Sequence, residues 1–548
     1  MSKISPLSLE KRIYSSFQRR FQNSRLYGLS LVSSVKPLTD AIPSDWWPGD
    51  LTAGQSLVEG TFKLADKNIP LKNFSHFLAV SKECPSSLLF GIHGFGWLRD
   101  LRMVSSNLSR KRARDLITYW IHYNHSWHKK SWLLPAWRAD IMGQRLRNWL
   151  GVYDFFGSSA DNNFRHLFLT SLTRQYKHLH RMYSQNSLSS WQQIQALVGL
   201  IFTACVLKVP TATLNLYLAY FEKIIYQDLL HPNQKIRCPK IYFFLLQDLI
   251  DLRIVLKSRD YQEPVFFGQI LPVLASLVRF FRHSNGELAD FPGRLKDLEF
   301  LTLSAQSISV ALIDMVLSLS DSRARSIQTT QIGYERLAAK EGVVLLNTQP
   351  SSFPATLGDR GLGILDFEWS VGPNRWIHFS DLILHSAEGT GLFLGYPSPF
   401  INTDMSLKVK RQKQDGYHHL IAELENKKTA REFYLQREFY LASNLSDFRG
   451  CEAVRFTHDG FIGIRFIFNK TVQLISQSDR TATFKVVFSP HPLNKHSEHQ
   501  TWRLVCSGIE QILTESLEDG RLMVVLMASL YAQQEKTLKW AFHLKHNE

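Results

Sequence analysis

Residues 460–468 read GFIGIRFIF, and in this run Ile462, Ile464, Phe466 and Phe468 recur at every second position. A period of two places such side chains on one face of a β-strand, so the run predicts a half-buried strand. Residues 481–488, TATFKVVF, repeat the pattern, and Asp-Gly, Asn and Pro turn signals break the chain between such runs from Gly342 onward. Strands of this kind, each burying one face, predict an antiparallel β-sandwich.

Working back from these strands, the period changes. From about Pro85 to Ser320 apolar and aromatic residues recur at three- and four-residue spacing, as in Leu89 to Leu108, Trp191 to Leu207, Thr211 to Leu229, Ile241 to Leu256 and Phe266 to Arg282. That spacing predicts packed amphipathic helices. Helix pairs in series suit a solenoid or a closed toroid, although no repeat of fixed period is present. Segregation of helices from strands predicts an α+β multidomain chain: a helical domain over 1–325, a β-sandwich over 326–548, and the junction near 320–335.

The length of 548 residues allows roughly two to four domains, and 44% hydrophobic with 20% charged residues excludes a disordered chain. Lys plus Arg number 64 against 48 Asp plus Glu, a formal charge of +16 that attracts anions. Nucleic acid, acidic lipid and acidic polysaccharide all fit that charge. The basic residues are spread over both halves with no compact block, so there is no clear nucleic-acid motif. The clusters at Arg110 to Arg114 and Lys408 to Lys413 read as solvated faces, or as a polyanion track where several converge.

The five cysteines, Cys84, Cys205, Cys238, Cys451 and Cys506, lie far apart and are odd in number, which fits a reduced compartment. The first thirty residues are basic and patchily apolar without an uninterrupted apolar core and cleavage site. A cytoplasmic location is therefore expected, with the periplasm left open. The most apolar helical stretch, Ala196 to Val209, is shorter than the roughly twenty residues of a bilayer span, so a buried helix and no transmembrane segment are expected.

Several strings between residues 90 and 540 resemble the heparinase II/III-like proteins of the alphaproteobacterial type. HGFGWLRDLR carries His93, Trp97 and Arg99; AWRADIMGQRLRNWL carries Trp137, Arg145, Asn148 and Trp149. Both resemble the family's toroid signatures. Gly333, Tyr334, Arg336 and Leu337, then LDFEWS with Phe367, Glu368 and Ser370, resemble the start of its sandwich. The resemblance implies an N-terminal (α/α) toroid followed by a C-terminal antiparallel β-sandwich. It also implies a lyase that cuts acidic, uronate-containing polysaccharide by β-elimination in a basic cleft. That reaction needs the uronate carboxylate neutralised, a base for the adjacent proton and an acid for the leaving oxygen.

The motifs depart from the family where that chemistry resides. HPNQKIRCP at 231–239 stands where the family reads DGGHxSRNP; Arg237 and Pro239 match, but Gln234 replaces the His, and His231, Pro232 and Asn233 replace Asp-Gly-Gly. Glutamine exchanges no proton near neutral pH, and Pro forbids the positive φ that Gly allows. RHSNGELADF resembles RHxDGxLAxF and keeps Arg282 and His283, with Asn285 for Asp. In RGLGILDFE, Gly361 stands at the His that binds a divalent metal in some members, and Glu388 occupies the His of a later motif. Losing both imidazoles makes a zinc site improbable, so no cofactor or metal is expected.

The candidate catalytic residues are His231, Arg237 and His283: either histidine could supply the imidazole missing at Gln234, and Arg237 a guanidinium to clamp a carboxylate. The candidate substrate-binding residues are His93, Trp97, Arg99, Arg145 and Arg282. Several have a bland alternative: His93 as a hydrogen-bonded packing residue, the tryptophans as core, Arg99 as a buried pairing residue, Arg237 in a structural pair, and His231 and His283 in ordinary exposed or capping roles. Two functions stay open, a scaffold that binds and cleaves acidic polysaccharide, and an inactive member that binds glycan or a partner.

Overall fold

The structure, a computed structural model, describes residues 24–32, 38, 42–64, 67–71, 91–124, 135–184, 188–229, 238–291, 308–320, 323, 332–340, 342–348, 365–386, 391–393, 405–414, 416–426, 433–487 and 499–545. The chain divides into two compact units. One takes in Met1–Ile236, Phe244–Pro272 and Lys296–Ser322; the other takes in Arg237–Phe243, Val273–Leu295 and Arg323–Glu548.

The first unit is helical. Its helices are α1 (Arg25–Ser30), α2 (Leu51–Glu59), α3 (Leu98–Val104), α4 (Asn107–Tyr123), α5 (Ala139–Gly151) and α6 (Tyr153–Gly157). There follow α7 (Asn162–Met182), α8 (Ser190–Val206) and α9 (Thr211–Ile224), then α10 (Pro239–Ser258), α11 (Val265–Phe280) and α12 (Val310–Leu319), of which the start of α10 up to Phe243 and the end of α11 from Val273 fall in the second unit. The hairpin β1 (Thr61–Leu64) and β2 (Lys67–Pro70) was not foreseen in the sequence. Nor was a break in the predicted Leu89–Leu108 helix, where Phe95 takes φ +62° before α3 begins.

Start signals are visible at several ends. Ser106 and Ser189 cap α4 and α8 with reciprocal capping boxes, and Asp50 caps α2. Helix α8 contains most of the Ala196–Val209 stretch, and residues 194–206 are all buried. It packs on α5 through paired glycines: a Cβ on Gly199 would stand 2.4 Å from the Gly143 Cα, and one on Gly143 would stand 2.2 Å from the Gln195 carbonyl oxygen. Only glycine permits that approach. Among the described residues no helix is long and apolar enough to cross a membrane.

A buried polar network pins the extended segment 42–50 to these helices. Arg99 pairs with Asp45 at 2.6 Å and donates to the Asn148 side chain at 2.9 Å. Arg147 reaches Asp248 at 2.6 Å and also Asp251, which accepts the Trp47 indole N–H at 2.8 Å. Burial pushes the Asp248 carboxyl up to about 6 against the pull of Arg147. Each charge is thus matched inside the unit, as burial demands.

The second unit holds a sandwich of two antiparallel sheets. Its strands run β3 (Tyr334–Ala339), β4 (Gly342–Asn347), β5 (Phe367–Val371), β6 (Asn374–Ser386), β7 (Gly391–Phe393), β8 (Met405–Gln414), β9 (Tyr417–Asn426) and β10 (Phe433–Ala442). They continue as β11 (Asp447–Phe456), β12 (Gly460–Phe468), β13 (Val472–Gln477), β14 (Thr481–Val487) and β15 (His499–Ser507), then β16 (Gln511–Ser516), β17 (Leu522–Leu530) and β18 (Glu535–Lys545). The first sheet has the order β16-β17-β12-β6-β5-β4-β3, with β7 beside β6; the second runs β13-β14-β15-β18-β11-β10-β9-β8.

Alternate residues of both sheets meet in one apolar core, which includes Ile462, Ile464, Phe466 and Phe468 from the run that opened the sequence reading. Trp376 packs edge-on against Trp502 at 4.7 Å between ring centres. One ion pair lies inside this core: Arg437 donates to Glu452 at 3.0 Å and to the Leu365 carbonyl at 2.7 Å, and the Trp540 N–H donates to Glu452 at 2.9 Å. The first sheet has a second buried face. All of β4 and β5 is buried. Phe367, Trp369 and Val371 enter the sandwich core, so Glu368 and Ser370 face the opposite way, beneath residues 281–291.

Candidate functional site

Three segments singled out in the sequence meet on that second face, wholly within the second unit. They are the end of HPNQKIRCP at Cys238 and Pro239, which Lys240 follows, the loop RHSNGELADF, and LDFEWS on β5. The loop leaves α11 and is held down by Arg336 of β3, which donates to the Phe280 and Arg282 carbonyls at 3.1 and 2.7 Å. An isolated bridge between Arg282 and Leu288, with Gly286 at φ +84°, folds it back on itself. The Cys238 thiol donates to the Phe291 carbonyl at 3.7 Å, and Tyr242 stacks on Phe281, which brings the start of α10 alongside.

Glu368 is the hub. Its carboxylate accepts from Arg375 at 2.5 Å, from His283 Nε2 at 2.7 Å and from the Asp290 backbone N–H at 2.8 Å. Burial pushes its pKa up to about 7, opposed by Arg375. His283 is fully buried, and burial with the nearby Arg375 holds its imidazole well below the usual value, so it is neutral. With Glu368 ionised, His283 donates through Nε2–H, and Nδ1 accepts from the Ser370 hydroxyl at 3.0 Å. Ser370 in turn accepts the Ser284 N–H at 3.1 Å.

From this buried base three groups reach solvent. Lys240 pairs with Asp290, and His378 Nε2 lies 3.5 Å from the other Asp290 oxygen; their side chains are 33%, 36% and 26% exposed, so a ligand has access to all three. Burial pushes the Asp290 carboxyl up, yet Lys240, with Arg375 and His378, outweighs it and holds the group below its ordinary value. Burial and Arg375 push His378 down to about 4. Near neutral pH the cluster therefore presents an ammonium, a carboxylate and a neutral imidazole, a set of donors and acceptors suited to a ligand rich in hydroxyls. It contains no strong base, because a group of pKa about 4 takes up little proton at pH 7.

The structure places the other candidates differently. His231, Gln234 and Arg237 lie outside the described residues, as do Gly361 and Glu388. His93 is buried, its Nδ1 accepting the Trp120 N–H at 2.9 Å, and burial pushes it down to about 3. Arg145 is fully buried; it donates to Gln175, to the His93 carbonyl and to the Ala136 carbonyl, and it lies over the Trp120 ring at 4.2 Å. The Trp97 N–H donates to the Ile92 carbonyl at 3.1 Å, and Arg99 belongs to the Asp45 network. The sugar-binding assignment of His93, Trp97, Arg99 and Arg145 is thus corrected to packing and pairing, since a glycan cannot reach side chains enclosed on every side. Arg282 is half-buried and donates to the Gly286 carbonyl at 3.0 Å, bracing the loop. His283 touches no solvent, and its place is behind Glu368.

Sequence reasoning missed Lys240, Asp290, Arg375 and His378. Asp290 lies inside a quoted motif and Lys240 one residue beyond another, so both carried a positional signal. Arg375 and His378 carried none, because β6 breaks its alternation: Trp369 pairs with Ile377 but Ser370 pairs with Arg375, with a further shift between Phe367 and Trp369. Such bulges turn residues three apart toward one side of a strand. Among the described residues no group of three or more His, Cys, Asp and Glu side chains has the arrangement of a metal site.

No family model matches the sequence, and no curated protein is similar to it. Solved structures are. A crystal structure of heparinase III superposes with a TM-score of 0.61 at 12% identity, covering 98% of this chain and 91% of that one. A mutant of the heparan sulfate lyase HepC from Pedobacter heparinus gives a TM-score of 0.50 at 10% identity, over 93% and 85% of the two chains. At such identities the likeness is one of fold, and this chain has the heparinase-like fold, an (α/α) toroid followed by an antiparallel β-sandwich.

Proposed function

We propose that this chain is a polysaccharide-lyase scaffold that binds acidic, uronate-containing polysaccharide, with Lys240, Asp290 and His378 in contact with the glycan. The observation that carries this reading is the convergence of four separate segments, the start of α10, the loop RHSNGELADF, β5 and β6, on one half-exposed polar cluster braced from behind by Glu368, His283 and Arg375. A structural ion pair does not require such a base; a ligand site does, because its groups must be held before the ligand arrives. The formal charge of +16 favours an anionic ligand. The ligand class follows the names of the structural neighbours, a heparinase and a heparan sulfate lyase.

Cleavage by β-elimination is the fuller form of this reading. Purified protein incubated with a panel of uronate polymers generates an unsaturated sugar with new ultraviolet absorbance if it is a lyase. The expected result is binding that weakens in Lys240→Ala and His378→Ala; no binding and no product across the panel overturns the proposal.

A second reading, a binding protein without catalysis, is favoured by His378 at about 4 and by Gln234 at the family's His position. It predicts binding without product in the natural chain. Product formed by the unaltered protein rules it out.

A further inference from the structure

The two sheets of the sandwich treat their outer faces in opposite ways. The outer face of β4 and β5 is buried, whereas on the second sheet the outward residues of β11, β18, β15 and β14 lie open, with Arg449, Arg455, Arg503, Lys539 and Lys545 exposed and Lys485 half-exposed. The outward positions of these four strands carry those six Lys and Arg against the acids Asp447 and Glu535. Asp447 is already matched, by Arg449 and by His543 at 2.9 Å. Among the described residues, Lys485, Arg503, Lys539 and Lys545 form no ion pair.

We infer that this open sheet face is a second binding surface, one that takes an extended acidic polysaccharide across the strands; the ligand class rests on the reading proposed above, while the location does not. Register fixes the layout. Lys485, Thr501 and Lys545 lie side by side on β14, β15 and β18, and Arg503 lies beside His543 and Asp447 in the next row. The row after that holds Thr481, Val505, Ala541 and Arg449, and Lys539 stands beyond it beside Cys451. Ala541 and Val505 are short, so this row forms a low floor with Arg503 on one bank and Lys539 on the other.

Adjacent strands are about 4.8 Å apart and successive outward residues on a strand about 7 Å apart. The banks are therefore about 14 Å apart, and Lys485 and Lys545 about 10 Å, a spacing for repeated anionic groups rather than for a single ion. The outward positions of these four strands hold no Phe, Tyr or Trp; on the adjoining β10, Tyr434 lies beside Arg455, whose guanidinium is 5.9 Å from its ring centre, and Tyr440 beside Arg449, so aromatic rings border the basic strip without lining it. Along β14, β15 and β18 charge recurs with no ring for a base to stack on, so a flexible polyanion that needs charge along its length is the occupant this strip fits.

The test uses the full chain and a heparin oligosaccharide as probe, with affinity measured over a series of salt concentrations. The triple variant Lys485→Ser, Arg503→Ser, Lys545→Ser is expected to lose at least about tenfold in affinity and to have a shallower dependence on salt, since fewer counterions are released. The charge-keeping variant Lys485→Arg, Arg503→Lys, Lys545→Arg is expected to bind as the natural chain does, which separates lost charge from a disturbed fold. Triple-variant affinity within twofold of the natural chain overturns the inference alone, and so does tighter binding of single-stranded DNA than of heparin through the same residues. Failure of the natural chain to bind any acidic polysaccharide removes the proposed function and this surface together.

Discussion

Both units bury a network of charges, yet the two networks end differently. In the helical unit Asp45, Arg99, Arg147, Asp248 and Asp251 are enclosed on all sides, and every charge finds its opposite within the unit. In the sandwich unit Glu368, His283 and Arg375 are as deeply buried, but the chain of contacts continues through Asp290 to Lys240 and His378 at the surface. A closed network serves to fix a fold, because its removal leaves unpaired charge in a dry interior. An open one can fix side chains for a ligand. Buried charge alone therefore does not mark a site; the exposed end of the network does.

The largest expected effect breaks the closed network. Arg147→Met leaves Asp248 and Asp251 as adjacent buried carboxylates without a cation, and a loss of about 3–5 kcal/mol is expected. Calorimetric unfolding checks it; a change below about 1 kcal/mol would mean that the helical network is not closed in solution.

Next comes the hub of the open network. Glu368→Ala strands the Arg375 guanidinium and the His283 N–H, with an expected cost of about 3 kcal/mol. Glu368→Gln isolates the pH dependence. Glu368 has its pKa raised from 4.5 to about 7, so the stability it contributes is fully present below 4.5 and is lost as pH rises through about 7. His378 is lowered from 6.5 to about 4, so its contribution is present above 6.5 and lost as pH falls through about 4. The two slopes oppose each other in the natural chain. Asp248, raised to about 6, keeps its slope in both proteins, so the difference is the readout: the unfolding free energy of Glu368→Gln minus that of the natural chain should rise with pH between about 4.5 and 7, and a flat difference sinks the assignment.

The smallest effect sharpens the comparison without changing the network. Burial pushes the thiols of Cys205, in the helical unit, and Cys238, beside the open cluster, up to about 12, so both should react slowly with an alkylating reagent in the native state. If the loop that covers Glu368 opens more readily than the helical core, Cys238 is labelled faster than Cys205. Mass spectrometry of time-resolved labelling separates them, and equal rates would mean that the two networks are equally tight.

Much of the fold was legible because it repeats locally. The predicted Gly460–Phe468 strand is β12, the predicted Trp191–Leu207 helix is α8 within a residue at each end, and Thr211–Leu229 is α9 followed by one π-helical turn over Ile225–Leu229. The site was legible only in part. RHSNGELADF and LDFEWS stood out, but His283 emerged as a brace, and the half-exposed His378 and the buried Arg375 lay in a strand whose alternation is interrupted.

By itself the sequence determined the periods: three to four residues in the first part, two in the last, and with them a helical region followed by paired sheets. It determined the charge and the motif segments as well, since these are properties of neighbouring residues along the chain. Tertiary structure alone decided that β5 buries both faces, that Glu368 meets His283 and Arg375, and that the second sheet keeps its basic face open. Those outcomes depend on which distant segment covers which surface, and a bulge of one residue reverses the side on which a side chain emerges, so neither is written in local spacing.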